Sequence, residues 1–374
     1  MKPGDVVFVK KGKHEIVGRG IVRSDYEYDP DRESFKNVRK VEWTHNGSWP
    51  YPGQAAMKTL TDISNYNDYV ESLNRLFEDD EEDEGPVTEL KRYTEKDFLR
   101  EVYMEPAQYE TLVNLVKRKK NVILQGAPGV GKTYAAKRLA YSIMGVKDKA
   151  RVEMVQFHQS YSYEDFVMGY RPTEKGFELH HGAFYKFCRE AEKDSEDVPY
   201  FFIIDEINRG NVSKIFGELF MLIEPDKRDS SLRLLYADEE FSVPSNVYII
   251  GMMNTADRSL AIMDYALRRR FAFFTMQPGF DTEGFRTYQQ ELNNEKFDRV
   301  IACVKDLNVA ISEDSSLGSG FQIGHSFFCG LKNQTAQVLP EIVEYELVPL
   351  LEEYWFDEPS KARLWADNLR SAVR

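Results

Sequence analysis

The chain has 374 residues, 42% of them hydrophobic and 13% aromatic, which allows two or three domains and lies far from the composition of disordered chains. Its formal net charge of −13 excludes a uniformly basic nucleic-acid binder but leaves room for local basic loops. Seven of those charges stand in one run, 78–84 (EDDEEDE), so the remainder is only mildly acidic.

Cys188, Cys303 and Cys329 are too few and too scattered for a disulfide framework or a paired-cysteine zinc site. The longest apolar runs, 201–204 and 247–253, are too short to cross a bilayer. The basic start MKPGDVVFVKKGK lacks the apolar stretch of a secretory signal. These features predict a soluble cytoplasmic protein with no membrane partner.

In chain order, residues 1–60 read as a small β element with strands near 5–9, 16–23 and 38–43. Apolar residues at helical spacing predict a helix over 62–77, and the acidic run with Gly85 and Pro86 makes 61–92 a helix and linker. From 93 to 278, helical and strand patterns alternate, predicting an α/β domain with a largely parallel sheet. Its strands fall at 122–125, 152–156, 201–205, 247–252 and 272–275, each short and apolar as in strands covered on both faces. Residues 279–374 read as a helical subdomain interrupted at 318–324.

Gly126, Ala127, Pro128, Gly129, Val130, Gly131, Lys132 and Thr133 match GxxxxGK[ST] between an apolar strand and a helix that begins at Tyr134. Glycines let successive backbone N–H groups and the helix N-terminus face phosphate oxygens. Lys132 would neutralise the β- and γ-phosphates, and Thr133 would ligate Mg²⁺. A second apolar strand ends in Asp205 and Glu206: Asp205 suits the Mg²⁺ shell, Glu206 the activation of water. Asn254, at the end of a third strand, would position that water, or the Asn–Thr–Asp turn would cap the next helix. Arg268, Arg269 and Arg270 close a helix, where they would reach a phosphate or complement the helix dipole.

With these clusters in order, the chain resembles the AAA+ nucleotidases, and more narrowly the McrB family, GTP-hydrolysing motors of modification-dependent restriction systems. The narrower likeness rests on FHQSY at 157–161 with EDF at 164–166, DEINR at 205–209 continuing to KIFGE at 214–218, MNTADRS at 253–259 and DYALRRRF at 264–271. IGHSFF at 323–328 and LLEEY at 350–354 extend it, so the likeness covers roughly residues 93–360. It implies an AAA+ P-loop NTPase of α/β class with a helical C-terminal subdomain. It also implies a hexameric ring, an McrC-like nuclease partner, double-stranded DNA with modified bases, and GTP rather than ATP as substrate.

Carried onto this chain, the likeness makes Asn254 the sensor, places Asp257 and Arg258 in the signature loop, and makes Arg269, with Arg270, the trans-acting finger. His325 falls where many AAA+ proteins use an arginine near the nucleotide. Phe98, Leu99 and Val102, before the P-loop, form either a base pocket or ordinary core. No Asn-Lys-x-Asp guanine motif is present. An ATP-driven remodeller of the MoxR or chelatase kind and a nucleotide-gated DNA-binding switch are the alternatives.

The first 60 residues look like the closing strands of an EVE or PUA-like module, although that length is short for a complete one. In it Tyr26, Tyr28, Trp43 and Trp49 serve either as stacking groups for a flipped base or as barrel core.

Overall fold

The short strand segments that marked the first 60 residues as β build, in the computed structural model, a sheet of β1 (Val6–Lys10), β2 (Glu15–Val22) and β5 (Val41–Pro50), antiparallel in the order β1-β2-β5. The structure describes residues 2, 4–12, 15–28, 36–50, 61, 63, 69–70, 73, 90–173, 176–257, 265–331 and 335–374. The strand expected at 38–43 is split: β3 (Glu27–Tyr28) pairs with β4 (Asn37–Val38), and β5 starts afresh at Val41.

Ile16 and Leu73 are buried among Phe8, Trp49, Ile63 and Tyr69, a small core. Trp49 therefore packs inside, whereas Trp43 and Tyr26 are 51% and 55% exposed, so the barrel-core alternative fails for those two. The side chain of Tyr28, most of the helix expected at 62–77 and the acidic run lie outside the described residues; residues 69, 70 and 73 are helical. Residues Met1–Glu89 form one unit and Leu90–Arg374 another.

The second unit is built on five parallel strands. These are β6 (Asn121–Gly126), β7 (Val152–Gln156), β10 (Tyr200–Asp205), β13 (Val247–Asn254) and β14 (Ala272–Met276), in the order β14-β6-β13-β10-β7. All five expected strands are present, each within two residues of its expected ends. Their residues alternate between two cores, as the period of two in a strand requires. Val122, Leu124, Phe201, Ile203, Ile250 and Met252 meet α1 (Glu95–Glu101), α2 (Pro106–Lys119) and α3 (Lys132–Met144) on one face. Ile123, Phe202, Ile204 and Ile249 meet α4 (Ala183–Ala191) and the 212–223 segment on the other. Two hairpins were not foreseen: β8 (Met168–Thr173) with β9 (Gly176–His181), and β11 (Ser231–Arg233) with β12 (Glu240–Ser242).

A short helix, α5 (Tyr265–Arg270), leads into β14. Beyond the sheet, α6 (Glu283–Leu292), α7 (Glu295–Glu313) and α8 (Pro359–Val373) enclose a third core around Phe285, Phe297, Leu307, Leu351 and Trp355. This is the helical C-terminal region, interrupted by short 3₁₀ turns at Ser319–Phe321 and His325–Phe328. Among the described residues no helix is long and apolar enough to cross a membrane.

Candidate nucleotide site

Parallel strands end on one edge of the sheet, and the loops that follow converge there. In register, Asn254 stands opposite Gly126, and Asp205 ends the strand on the far side of β13. One cavity of about 330 Å³ is consequently lined by Gly129, Gly131, Lys132, Thr133, Asp205, Glu206 and Asn254. Gly129 and Asn254, 125 positions apart in sequence, are brought together here by topology alone.

The loop itself needs its glycines. Gly129 and Gly131 have φ of +75° and +73°, a region in which a β-carbon is costly. The Lys132 side chain is buried and its Nζ donates to the carbonyls of Gly126 and Ala127, at 3.1 and 2.9 Å. Burial pulls its pKa down to about 8, partly offset by the nearby carboxylates of Glu206, Asp205 and Asp257. A bound triphosphate would add negative charge beside the ammonium and raise its pKa again.

Glu206 sits at φ 49°, in the left-handed region that is strained for a residue with a side chain. Its backbone N–H donates to Asp205 Oδ1 at 3.0 Å. The Asn254 amide donates to Glu206 Oε1 at 3.0 Å, and Arg209 Nε lies 3.2 Å from Oε2. Arg209 also reaches Asp257, at 3.4 Å. Desolvation pushes the Glu206 carboxyl up, opposed by the Arg209 charge. Asn254 thus contacts the acid itself, and Arg209 joins Glu206 to Asp257. The sequence had identified Arg209 only as part of a motif, since its partner lies 48 positions away.

Thr133 and Asp205 face the same cavity as Lys132, which fits Mg²⁺: that ion is held by one or two protein oxygens together with phosphates and water. Among the described residues no cluster of three or more His, Cys, Asp or Glu forms a metal cage, and this mode of binding requires none.

His325 comes in from the C-terminal region. Gly324 N donates to Pro128 O at 3.2 Å and Ser326 N to Gly129 O at 2.8 Å, so this segment is hydrogen-bonded to the P-loop. A β-carbon on Gly324 would collide with the backbone of Gly129. His325 is 6% exposed, and its Nδ1 accepts from Gly279 N at 2.9 Å. Burial lowers its pKa to about 4, so the ring is neutral near pH 7. Its proton therefore resides on Nε2, which lies 3.6 Å from the position of a β-carbon on Gly131. The ring offers a donor toward the loop rather than the charge of an arginine.

A second cavity, about 910 Å³, adjoins the first and is lined by Leu99, Val102, Tyr103, Val130, Tyr134 and His325 among others. Leu99 and Val102 belong to it, whereas Phe98 is fully buried in the core.

The arginines lie elsewhere. Arg270 precedes β14, whose first residue pairs with Val122 near the start of β6, so the length of β6, roughly 16 Å, separates them from their own P-loop. Arg268 and Arg269 are exposed there. Arg270 is held by Phe220 and Glu224. Arg258 and Ser259 lie outside the described residues, as does any cap that the Asn–Thr–Asp turn would make on the helix after it.

Sheet order, P-loop and strand-end acids define an AAA domain of the P-loop nucleotidase class. Residues 121–271 match the family described as AAA domain (dynein-related subfamily), and residues 299–363 match the alpha-helical lid domain of McrB. The chain thus carries an AAA domain followed by a lid domain of the McrB type. It is 51% identical over 296 residues to the type IV methyl-directed restriction enzyme EcoKMcrB subunit of Escherichia coli strain K12, covering 76% of this chain and 64% of that one. A second relative, the type II restriction enzyme BsuMI component YdiS of Bacillus subtilis strain 168, is 28% identical over 194 residues, 41% of this chain and 56% of that one. The chain spans less than two thirds of either relative's length. A solved ATPase from Cytophaga hutchinsonii aligns with a TM-score of 0.31 and 14% identity over 56% of this chain and 67% of that one, a likeness that carries no argument. Residues 1–67 match a domain of unknown function, DUF8426, and the EVE or PUA-like likeness has no support beyond the residues quoted for it.

Proposed function

We propose that this chain is a GTP-hydrolysing motor that assembles as a ring and drives DNA through or past a separate McrC-like nuclease. One observation carries the reading: Lys132, Thr133, Asp205, Glu206 and Asn254 face a single cavity at the ends of three adjacent strands. A binding module needs the phosphate cradle, but the carboxylate pair with its attached amide is the equipment of hydrolysis.

In this reading the P-loop N–H groups and Lys132 hold the β- and γ-phosphates. Thr133 and Asp205 would hold Mg²⁺, which would neutralise charge on the transferring phosphoryl group. Glu206 orients the attacking water and takes its proton, and Asn254 fixes the carboxylate by donating to Oε1. The base and ribose lie in the larger cavity beside Leu99 and Val102. Arg269, a sheet's length from its own P-loop, serves the site of a neighbouring copy, so the working unit is an interface between chains. GTP, the hexamer and the nuclease partner come from the McrB likeness, and both relatives carry restriction-enzyme names.

The test compares GTP and ATP turnover with and without an added McrC-like nuclease subunit. GTP preference with partner-dependent DNA cleavage is expected. Clear ATP preference, or cleavage that persists in Glu206→Gln, would overturn the reading.

A further inference from the structure

The three consecutive arginines divide into two roles: we propose that Arg270 is a positioning residue that fixes α5, leaving Arg269 as the arginine that reaches a neighbouring nucleotide. The inference rests on the trans-acting arginine of the preceding reading and assigns its support.

Arg270 is fastened from three directions. Its Nε donates to Phe220 O at 2.6 Å, and its Nη2 lies 2.8 Å from Glu224 Oε1. Its guanidinium carbon sits 4.3 Å from the centre of the Phe220 ring. Both partners of the ion pair are mostly buried, at 18% and 24% side-chain exposure, so removing one would leave the other poorly solvated. A guanidinium used in this way cannot extend to another chain without giving up all three contacts. Residues 269 and 270 are turned about 100° from one another on a helix, and Arg269 is exposed where Arg270 is held.

The backbone of Arg270 is fastened as well. Asn121, the first residue of β6, donates through Nδ2 to Arg270 O at 3.1 Å and to Ile223 O at 2.7 Å. Its Oδ1 accepts from Arg228 Nη2 at 2.7 Å, and Arg228 Nε donates to Ile223 O at 3.0 Å. Arg228 is 8% exposed. A buried polar network thus ties the end of α5 to the strand that leads into the P-loop and to the 220–228 segment. Such a network is costly unless every member is satisfied, and then it fixes one geometry. It sets where Arg269 projects.

The test measures kcat, KM for the nucleotide, nucleotide affinity and thermal unfolding in the full chain. Arg269→Ala is expected to lower kcat by about a thousandfold or more. Arg270→Ala and Glu224→Ala are each expected to lower kcat roughly ten- to a hundredfold with KM unchanged, because the chain's own pocket is a sheet's length away. The double variant should be no worse than the singles, and Arg270→Lys, which can still pair with Glu224, should recover part of the loss. If Arg270→Ala abolishes turnover while Glu224→Ala and Glu224→Gln leave it intact, Arg270 is itself the finger and the inference fails. If Arg269→Ala leaves kcat unchanged, the trans-arginine reading fails instead, and the inference with it.

Discussion

At Glu206 a carboxylate is held in a strained backbone conformation between an amide and a guanidinium. Glu206→Gln keeps the shape and the Asn254 contact at Oε1 but cannot accept a proton. It should bind nucleotide normally and lose turnover at least about a hundredfold, measured by single-turnover hydrolysis beside equilibrium binding. His325 predicts a pH effect. Its folded pKa, about 4, is below the unfolded value near 6.5, so the unfolded state binds the proton first as pH falls. The His325 contribution, about 3 kcal/mol, is fully present above pH 6.5 and is lost as pH falls toward 4. In His325→Gln the fall in Tm between pH 6.5 and 4 should be correspondingly shallower. An unchanged slope would show that this imidazole is not buried in its neutral form.

The contact between C-terminal region and P-loop is a matter of elements. Residues 324–326 lie against the loop by two backbone hydrogen bonds, and Gly324 leaves no room for a side chain. Gly324→Ala forces the two elements apart, with an expected cost of about 1–3 kcal/mol and weakened nucleotide binding, read by thermal unfolding and titration. Asn308 of α7 holds the same segment from behind: its Nδ2 donates to Ile323 O at 2.9 Å, and its Oδ1 accepts from Ile323 N at 2.6 Å. Asn308→Ala leaves two buried backbone groups unpaired, and on that basis should destabilise by about 2–4 kcal/mol. Intact nucleotide affinity in both variants would separate the C-terminal region from the site.

For the whole molecule the decisive geometry is the distance from the P-loop at one end of β6 to the arginines at the other. If catalysis spans two copies, Lys132→Ala and Arg269→Ala chains should each be inactive alone. Mixed in equal amounts they should regain activity at about one quarter of the interfaces, since a Lys132 site then meets an Arg269 neighbour. No recovery on mixing would place both residues in one chain's chemistry. The unit Leu90–Arg374 has its own sheet and cores, so removal of residues 1–89 should leave its unfolding transition and basal turnover intact, as circular dichroism and hydrolysis would report.

The sequence by itself determined the five strands, the P-loop and the strand-end acids, because each is encoded locally: an apolar run of strand length, glycines where φ must be positive, a carboxylate where the run stops. It did not disclose the two hairpins, whose strands are short, mostly exposed and without an apolar run of the kind that marks the central sheet. It could not show that Asn254 holds Glu206, that Arg209 bridges Glu206 to Asp257, or that His325 lies against Gly131. Those pairs are 48, 48 and 194 positions apart, and only the order of strands and the return of the C-terminal region make them neighbours. The three arginines show the same limit most plainly. Side by side in sequence, they are separated by helical rotation and burial, which turn one toward Glu224 and leave another facing solvent.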